Sequence, residues 1–366
     1  MSKIKIVSFF TGLGGLDLGF EQAGCKTIWA NDFEENAVES FNLNHNSQIA
    51  IHGDLRLLNF DEIPQGDIFI GGPPCQSYSL VGRRDPDDSR GELVFHYLNL
   101  IKEKRPRAFL MENVPGLAAS KLNGMSMPEY LKGEFEKCGY KVEIAKLSAN
   151  DFGVPQKRKR IFVYGSLKKK PLVPDSTLFL KKVLKVDPSK YSISALAAIG
   201  DLGKCTKSAE RAKYSSKPHS LFAKLMREES LKDVSLHEMP RMSAKDQAFV
   251  KHIPPGGNYT NIPDDISTLR IMKFKASGGR TTTYGRLHPD HPSYTINTYF
   301  RRPNVGANFH YSEERLITPR EAMRFQSFPD HIEIVYSAQD ERNSFIGNAV
   351  PPLLARAVAE ELLKTF

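Results

Sequence analysis

The stretch Ile6-Val7-Ser8-Phe9-Phe10-Thr11-Gly12-Leu13-Gly14-Gly15-Leu16-Asp17-Leu18-Gly19-Phe20 decides the fold. An apolar run of strand character, Ile4–Phe10, passes through a glycine turn into a helical stretch, Leu16–Ala23. Glycines at such a turn let the backbone approach a ligand closely, and the helix N-terminus offers free N–H groups. The dinucleotide fingerprint G-x-G-x-x-G needs a third glycine at position 17, where Asp17 stands; this argues against a nicotinamide site. Asp32 lies twenty positions after Gly12, at the end of the next strand-like run, Thr27–Asn31. There its carboxylate can accept hydrogen bonds from ribose hydroxyls. The turn therefore reads either as a site for an adenosine-containing cofactor or as a glycine turn used only for packing.

Outward from the turn, short apolar strands alternate with helical stretches up to about residue 165, the pattern of an α/β sheet. Glu34–Asn44, Leu93–Lys104 and Pro128–Cys138 read as helices; Asp67–Ile70 and Ala108–Glu112 read as strands. Val142–Ser148 and Arg160–Tyr164 are close enough in sequence to pair antiparallel. From about Lys168 the periodicity weakens, and Pro254-Pro255-Gly256-Gly257 and Ser277-Gly278-Gly279 read as loops. Pro319–Phe325 and Pro352–Leu363 are helical again, the latter with Leu353, Leu354, Ala357, Val358 and Leu362 on one face.

Three further segments carry chemistry. Gly72-Pro73-Pro74-Cys75-Gln76-Ser77 follows a strand, at the sheet edge where open α/β folds bind ligands. Two prolines fix the backbone ahead of Cys75, as suits a nucleophile oriented before reaction. Met111-Glu112-Asn113 ends an apolar strand, and its carboxyl faces the same edge. Gln156-Lys157-Arg158-Lys159-Arg160 runs into Ile161-Phe162-Val163, so strand alternation predicts Arg158 and Arg160 on one face, able to clamp a phosphate or a carbonyl oxygen. Taken alone, that run reads equally as a solvated basic surface. Cys25, Cys138 and Cys205 are scattered, without metal spacing, and read as small buried hydrophobes.

The net charge of +9 is unevenly placed: residues 166–300 hold an excess of eleven positive charges, while the segments on either side each sum to −1. One basic segment on a neutral body suggests a polyanion partner, though a lysine-rich solvated surface would give the same count. No apolar run is long enough to span a bilayer, and the N-terminus lacks signal-peptide features; a cytosolic chain is expected.

Taken together, the glycine turn after Phe10, the Pro74-Cys75 loop, Glu112-Asn113-Val114, Gln156-x-Arg158-x-Arg160, Arg320-Glu321-Ala322-Met323-Arg324-Phe325-Gln326 and Gly347-Asn348-Ala349-Val350-Pro351-Pro352 resemble, in order, the motifs of the DNA cytosine-5 methyltransferase family. The stretch between about 168 and 300 matches no general pattern, as that family's sequence-reading region would not. The resemblance implies an α/β S-adenosylmethionine-dependent methyltransferase fold: a doubly wound, mostly parallel sheet with an antiparallel hairpin, plus a smaller irregular target-recognition domain. It implies a catalytic and cofactor-binding domain over 1–167, a DNA-reading domain over 168–300, and a segment, 301–366, returning to the catalytic domain. It further implies Cys75 as nucleophile on carbon 6 of cytosine, Glu112 as the donor to ring N3, favoured in its protonated form by a dry pocket, and Arg158 with Arg160 on the O2 side or the flanking phosphate. S-Adenosylmethionine, leaving as S-adenosylhomocysteine, would meet Phe10, Gly12, Leu13, Gly14, Gly15 and Leu16, with Asp32 on the ribose, Asp54 on the adenine amino group, and Phe33, Leu55, Pro74, Asn348 and Val350 completing the site. No metal is implied. The expected partner is double-stranded DNA and no membrane; a monomeric, cytoplasmic, nucleoid-associated bacterial modification enzyme is expected, and the resemblance leaves open a cognate restriction endonuclease encoded nearby, which would not be a stable partner. A tRNA-acting branch shares the Pro-Cys loop, but its Cys-Phe-Thr signature is absent, since Thr206 follows Cys205 directly. A catalytically silent DNA-binding relative is disfavoured by the intact Cys75, Glu112 and Arg160.

Overall fold

The computed structural model describes residues 3–74, 92–122, 124–207 and 211–366. The chain divides into two compact units. One comprises Met1–Phe152, Lys159–Phe179 and Ala349–Phe366; the other comprises Gly153–Arg158 and Leu180–Asn348. Residues 301–348, which the sequence reading joins to the C-terminal helix, thus pack within the second unit.

The first unit is built on a seven-stranded sheet. Five strands run parallel: β1 (Lys5–Phe9), β2 (Lys26–Asp32), β3 (Ala50–His52), β4 (Ile68–Gly71) and β5 (Ala108–Asn113). They lie in the order β3-β2-β1-β4-β5, so the order reverses between β1 and β4, the switch point at which such sheets open a crevice. Strand Lys159–Ser166 then pairs antiparallel with both β5 and Lys141–Ser148. The doubly wound sheet with its antiparallel pair is the expected architecture.

Alternation along the strands sends Val7, Phe9, Phe69, Phe109, Met111 and Val163 to one face, where they form a core with helices α3 (Glu92–Lys104) and α4 (Met127–Lys137). Ser8 points to the other face, toward α1 (Gly15–Gln22), beside which the C-terminal helix Pro352–Leu363 packs. Gly19 makes that approach possible: a Cβ there would stand 2.4 Å from Ala355 Cβ. Helix α2 (Glu35–His45) buries Ala37, Val38 and Phe41.

The second unit has short elements around its own core of Phe249, Val250, Ile253, Tyr259, Ile262, Ile271, Phe309 and Leu316. Its helices begin on side-chain caps: Ser194, Ser220, Ser243, Thr268 and Thr318 each accept a hydrogen bond from the backbone three residues on. Two buried charge clusters brace it. Arg324 is held by Asp330 (2.5 and 2.6 Å) and Asp201 (3.2 Å), all with fully buried side chains. Arg315 grips Glu321 with two hydrogen bonds of 2.8 and 2.9 Å. Arg320 and Arg324, which from sequence could pass for surface cations, are thus structural.

Candidate active site

The ends of β1, β2, β4 and β5 carry Phe10, Asp32, Gly72 and Glu112, so the parallel sheet brings the cofactor-like and nucleophile-like motifs to one edge. The glycine turn is left-handed at three points, Phe10 (φ 53°), Gly12 (φ 52°) and Gly14 (φ 72°), a course a β-branched chain could not follow without strain. Gly12 N–H donates to Asp32 Oδ2 at 2.7 Å, and Glu34 N–H donates to Oδ1 at 3.0 Å. Burial pushes the Asp32 carboxyl above the usual aspartate range.

These residues fit an adenosine-bearing ligand. A Cβ on Gly12 would meet nothing within 4 Å, so the turn faces open space. With backbone N–H groups of Gly12, Phe33 and Glu34 on it, the Asp32 carboxylate keeps accepting capacity for a hydroxyl. Phe33 beside it is 62% exposed, with its ring edge-on to His52. The side chains of Leu13, Leu16 and Leu55 are buried. Asp54 is engaged by Arg56, whose Nη2 stands 2.5 Å from Oδ2, and that guanidinium holds the carboxyl below its usual range. Val350 is buried in the first unit; Asn348 ends helix Gln339–Asn348 of the second.

At the other end of the edge, Glu112 and Arg160 form an ion pair, Nε to Oε1 at 2.7 Å, with both side chains only 10% exposed. The sheet register explains it: Glu112 stands opposite Phe162, so Arg160, two residues earlier on the same strand face, is its diagonal neighbour. Burial holds the Arg160 guanidinium below its ordinary range, with Glu112 opposing that shift. A Cβ on Gly72 would lie 3.2 Å from Glu112 Oε2, so glycine leaves room for the carboxyl beside the loop. Asn113 Nδ2 donates to Pro73 O at 3.0 Å, tying that loop to the end of β5. Pro74 is the last residue before the undescribed segment; Cys75, Gln76 and Ser77 lie outside the described residues.

Arg158 corrects one expectation. It precedes strand Lys159–Ser166 and lies in the second unit, so strand alternation does not carry it onto the face of Arg160. It is fully buried, and its guanidinium donates to the carbonyls of Ile296 (3.0 Å), Gly347 (2.8 Å) and Asn348 (3.3 Å). Gln156, buried next to it, donates to Phe325 O and Gln326 Oε1 and accepts from Ile296 N–H. Sequence reasoning missed Asn113 as a tether and gave Asp17 no role beyond its not being glycine. The signal for Asp17 was available: an acid amid apolar helix positions. A cavity of about 280 Å3 bounded by Arg107, Lys168 and Phe366 lies at the N-terminal end of β5, away from this edge.

Among known proteins, the family model described as C-5 cytosine-specific DNA methylase matches residues 4–364. The Type II methyltransferase M.NgoFVII of Neisseria gonorrhoeae is 33% identical over 368 residues, covering 100% of this chain and 88% of that protein. The Type II methyltransferase M.MthTI of Methanothermobacter thermautotrophicus is 33% identical over 370 residues, covering 99% and 97%. Among solved structures, the S. pombe Dnmt2 methyltransferase superposes with a TM-score of 0.65 at 17% identity, 99% of each chain covered, a likeness of fold.

Proposed function

The chain belongs to the C-5 cytosine-specific DNA methylase family and is a DNA cytosine-5 methyltransferase; from that premise we propose that it modifies one cytosine within a specific sequence of double-stranded DNA, as the modification enzyme of a restriction–modification system. The names of its Type II relatives support the second part. The observation that carries the site assignment is the buried Glu112–Arg160 pair beside the Gly72-Pro73-Pro74 loop that leads into Cys75.

Carbon 5 of cytosine is a poor nucleophile. Addition of the Cys75 thiolate to carbon 6 makes carbon 5 enamine-like and gathers negative charge on the ring. Glu112, a carboxylate in its pair with Arg160, takes up a proton from solvent as the base enters and passes it to N3 as that charge develops; Arg160 stabilises the carboxylate left behind. S-Adenosylmethionine, when bound, supplies a methyl group on a sulfonium, a good leaving group for attack by carbon 5. Transfer of the carbon-5 proton to a solvent base then re-forms the ring double bond and expels Cys75 as its thiolate, and N3 returns its proton to Glu112. Phe10, Gly12 to Gly15, Asp32 and Phe33 would hold the cofactor; Arg158 takes a positioning part by fixing the Gly347–Asn348 backbone. Cys75 and the methyl donor must approach opposite faces of one ring, so the base is flipped out of the duplex, at about a few kcal/mol.

Cys75→Ser should abolish methyl transfer while DNA and cofactor binding persist; substantial residual turnover would overturn the covalent route. Bisulfite sequencing of DNA from cells expressing the protein reads both the modified base and its sequence context, and methylation confined to tRNA would refute the DNA assignment.

A further inference from the structure

Asp17, the residue that interrupts the three-glycine fingerprint, has no part in the mechanism above, yet it is fully buried in the first turn of α1. Its carboxylate gathers hydroxyls from three elements. Oδ2 accepts from Ser8 Oγ of β1 at 3.0 Å and from Thr11 Oγ1 of the glycine turn at 3.1 Å, and Oδ1 accepts from Thr27 Oγ1 of β2 at 3.4 Å. We propose that Asp17 is a positioning residue for the cofactor turn, holding Thr11, and through it the backbone of Phe10 and Gly12, against the two strands that frame the site. The inference rests on the reading that this turn receives S-adenosylmethionine.

Thr11 is fixed at every polar group: N–H to Asn31 O at 3.2 Å, C=O from Gly14 N–H at 2.8 Å, and hydroxyl to Asp17. On either side of it sit the two left-handed residues Phe10 and Gly12, the second also tied to Asp32. A phenylalanine in that region is strained, and such a conformation persists only where its surroundings over-determine it. Three converging hydroxyls are all taken as donors by a carboxylate; an amide offers one accepting oxygen in place of two, so a hydroxyl facing its NH2 would have to turn and accept. Burial pushes the Asp17 carboxyl up to about 6, so it is ionised at neutral pH. The charged groups around it are His45 of α2, which favours the ionised form, and Glu21 of α1, which opposes it; those two lie 3.3 Å apart.

The test compares Asp17→Asn, Thr11→Val and Thr11→Ser in the full-length enzyme, measuring S-adenosylmethionine Kd, KM for cofactor and for DNA, kcat and the unfolding midpoint. Asp17→Asn should raise cofactor Kd and KM about tenfold, the scale of a hydrogen bond to a charged group, while kcat at saturating cofactor and KM for DNA stay within about twofold. Thr11→Val should shift the same parameters, Thr11→Ser should lose less than Thr11→Val, and Asp17→Asn with Thr11→Val should be no worse than Asp17→Asn alone. Unchanged cofactor affinity in Asp17→Asn, or a uniform fall in kcat and both affinities with a lowered midpoint, overturns the proposal. Should Asp17→Asn not fold, the Thr11 pair decides by the same criteria. Failure of the underlying reading would instead show in the wild-type protein, as cofactor binding that is absent or indifferent to Asp32→Ala.

Discussion

A buried carboxylate–guanidinium pair is tolerated only while both partners are present, because removing one strands the other charge in a dry site. Glu112 and Arg160 meet that description at 2.7 Å. Glu112→Gln should leave cofactor binding intact and lower kcat by about 10²-fold or more, the usual size of a lost general acid, as read by methyl incorporation at saturating DNA. Arg160→Met should in addition destabilise the fold by about 3–5 kcal/mol in chemical denaturation. The single-residue prediction with a pH signature concerns Asp17. Its folded pKa of about 6 lies above the ordinary 3.8, so the folded state binds the extra proton between those values. Its ionisation therefore works against folding, and stability from this group falls as pH rises through that window. The stability of Asp17→Asn relative to wild type should then increase by up to about 3 kcal/mol from pH 3.8 to above 6, which denaturation at a series of pH values would measure.

At the scale of elements, α1 and the helix Pro319–Phe325 make opposite demands. α1 needs the absence of a side chain at Gly19; Gly19→Ala would drive a methyl into Ala355 and Pro352 O, at a cost of about 1–3 kcal/mol measured by thermal unfolding. Helix Pro319–Phe325 needs a charge. Thr318 and Glu321 form its capping box, and Glu321, gripped by Arg315 and further helped by His310 and His237, is held down at about 2 against the ordinary 4.5. This is the opposite sign from Asp17: stability from Glu321 is full above about 4.5 and is lost as pH falls toward 2, a loss of about 3 kcal/mol that Glu321→Gln would abolish. Trp29, the chain's one tryptophan, sits in β2 of the first unit, so far-ultraviolet circular dichroism is the readout for the second. The helix over Pro319–Phe325 was legible in the sequence, as were the glycine turn and the strand ends; its capping box came from the structure. The two-residue strands of the second unit were not, because pairings of that length leave no period in the sequence.

Across the molecule, the excess of eleven positive charges over residues 166–300 predicts that DNA affinity falls by on the order of 10³ between about 50 and 200 mM salt; a flat response in a filter-binding titration would contradict phosphate docking by that segment. The exposed lysines of that segment, with its exposed Arg241, Arg270 and Arg280, are the candidates for those contacts. The amino-acid order alone determined which residue types stand at the strand ends: a turn whose glycines permit left-handed backbone, an acid after β2, a proline-fixed loop before Cys75, and a carboxyl closing β5. Those are local properties, written in steric freedom and in period-two or 3.6-residue patterning. Folding alone decided who meets whom. Strand register made Arg160 the partner of Glu112, and the packing of β1, β2 and α1 buried Asp17 among the hydroxyls of Ser8, Thr11 and Thr27. Such pairings depend on long-range register and desolvation, which no window of sequence encodes.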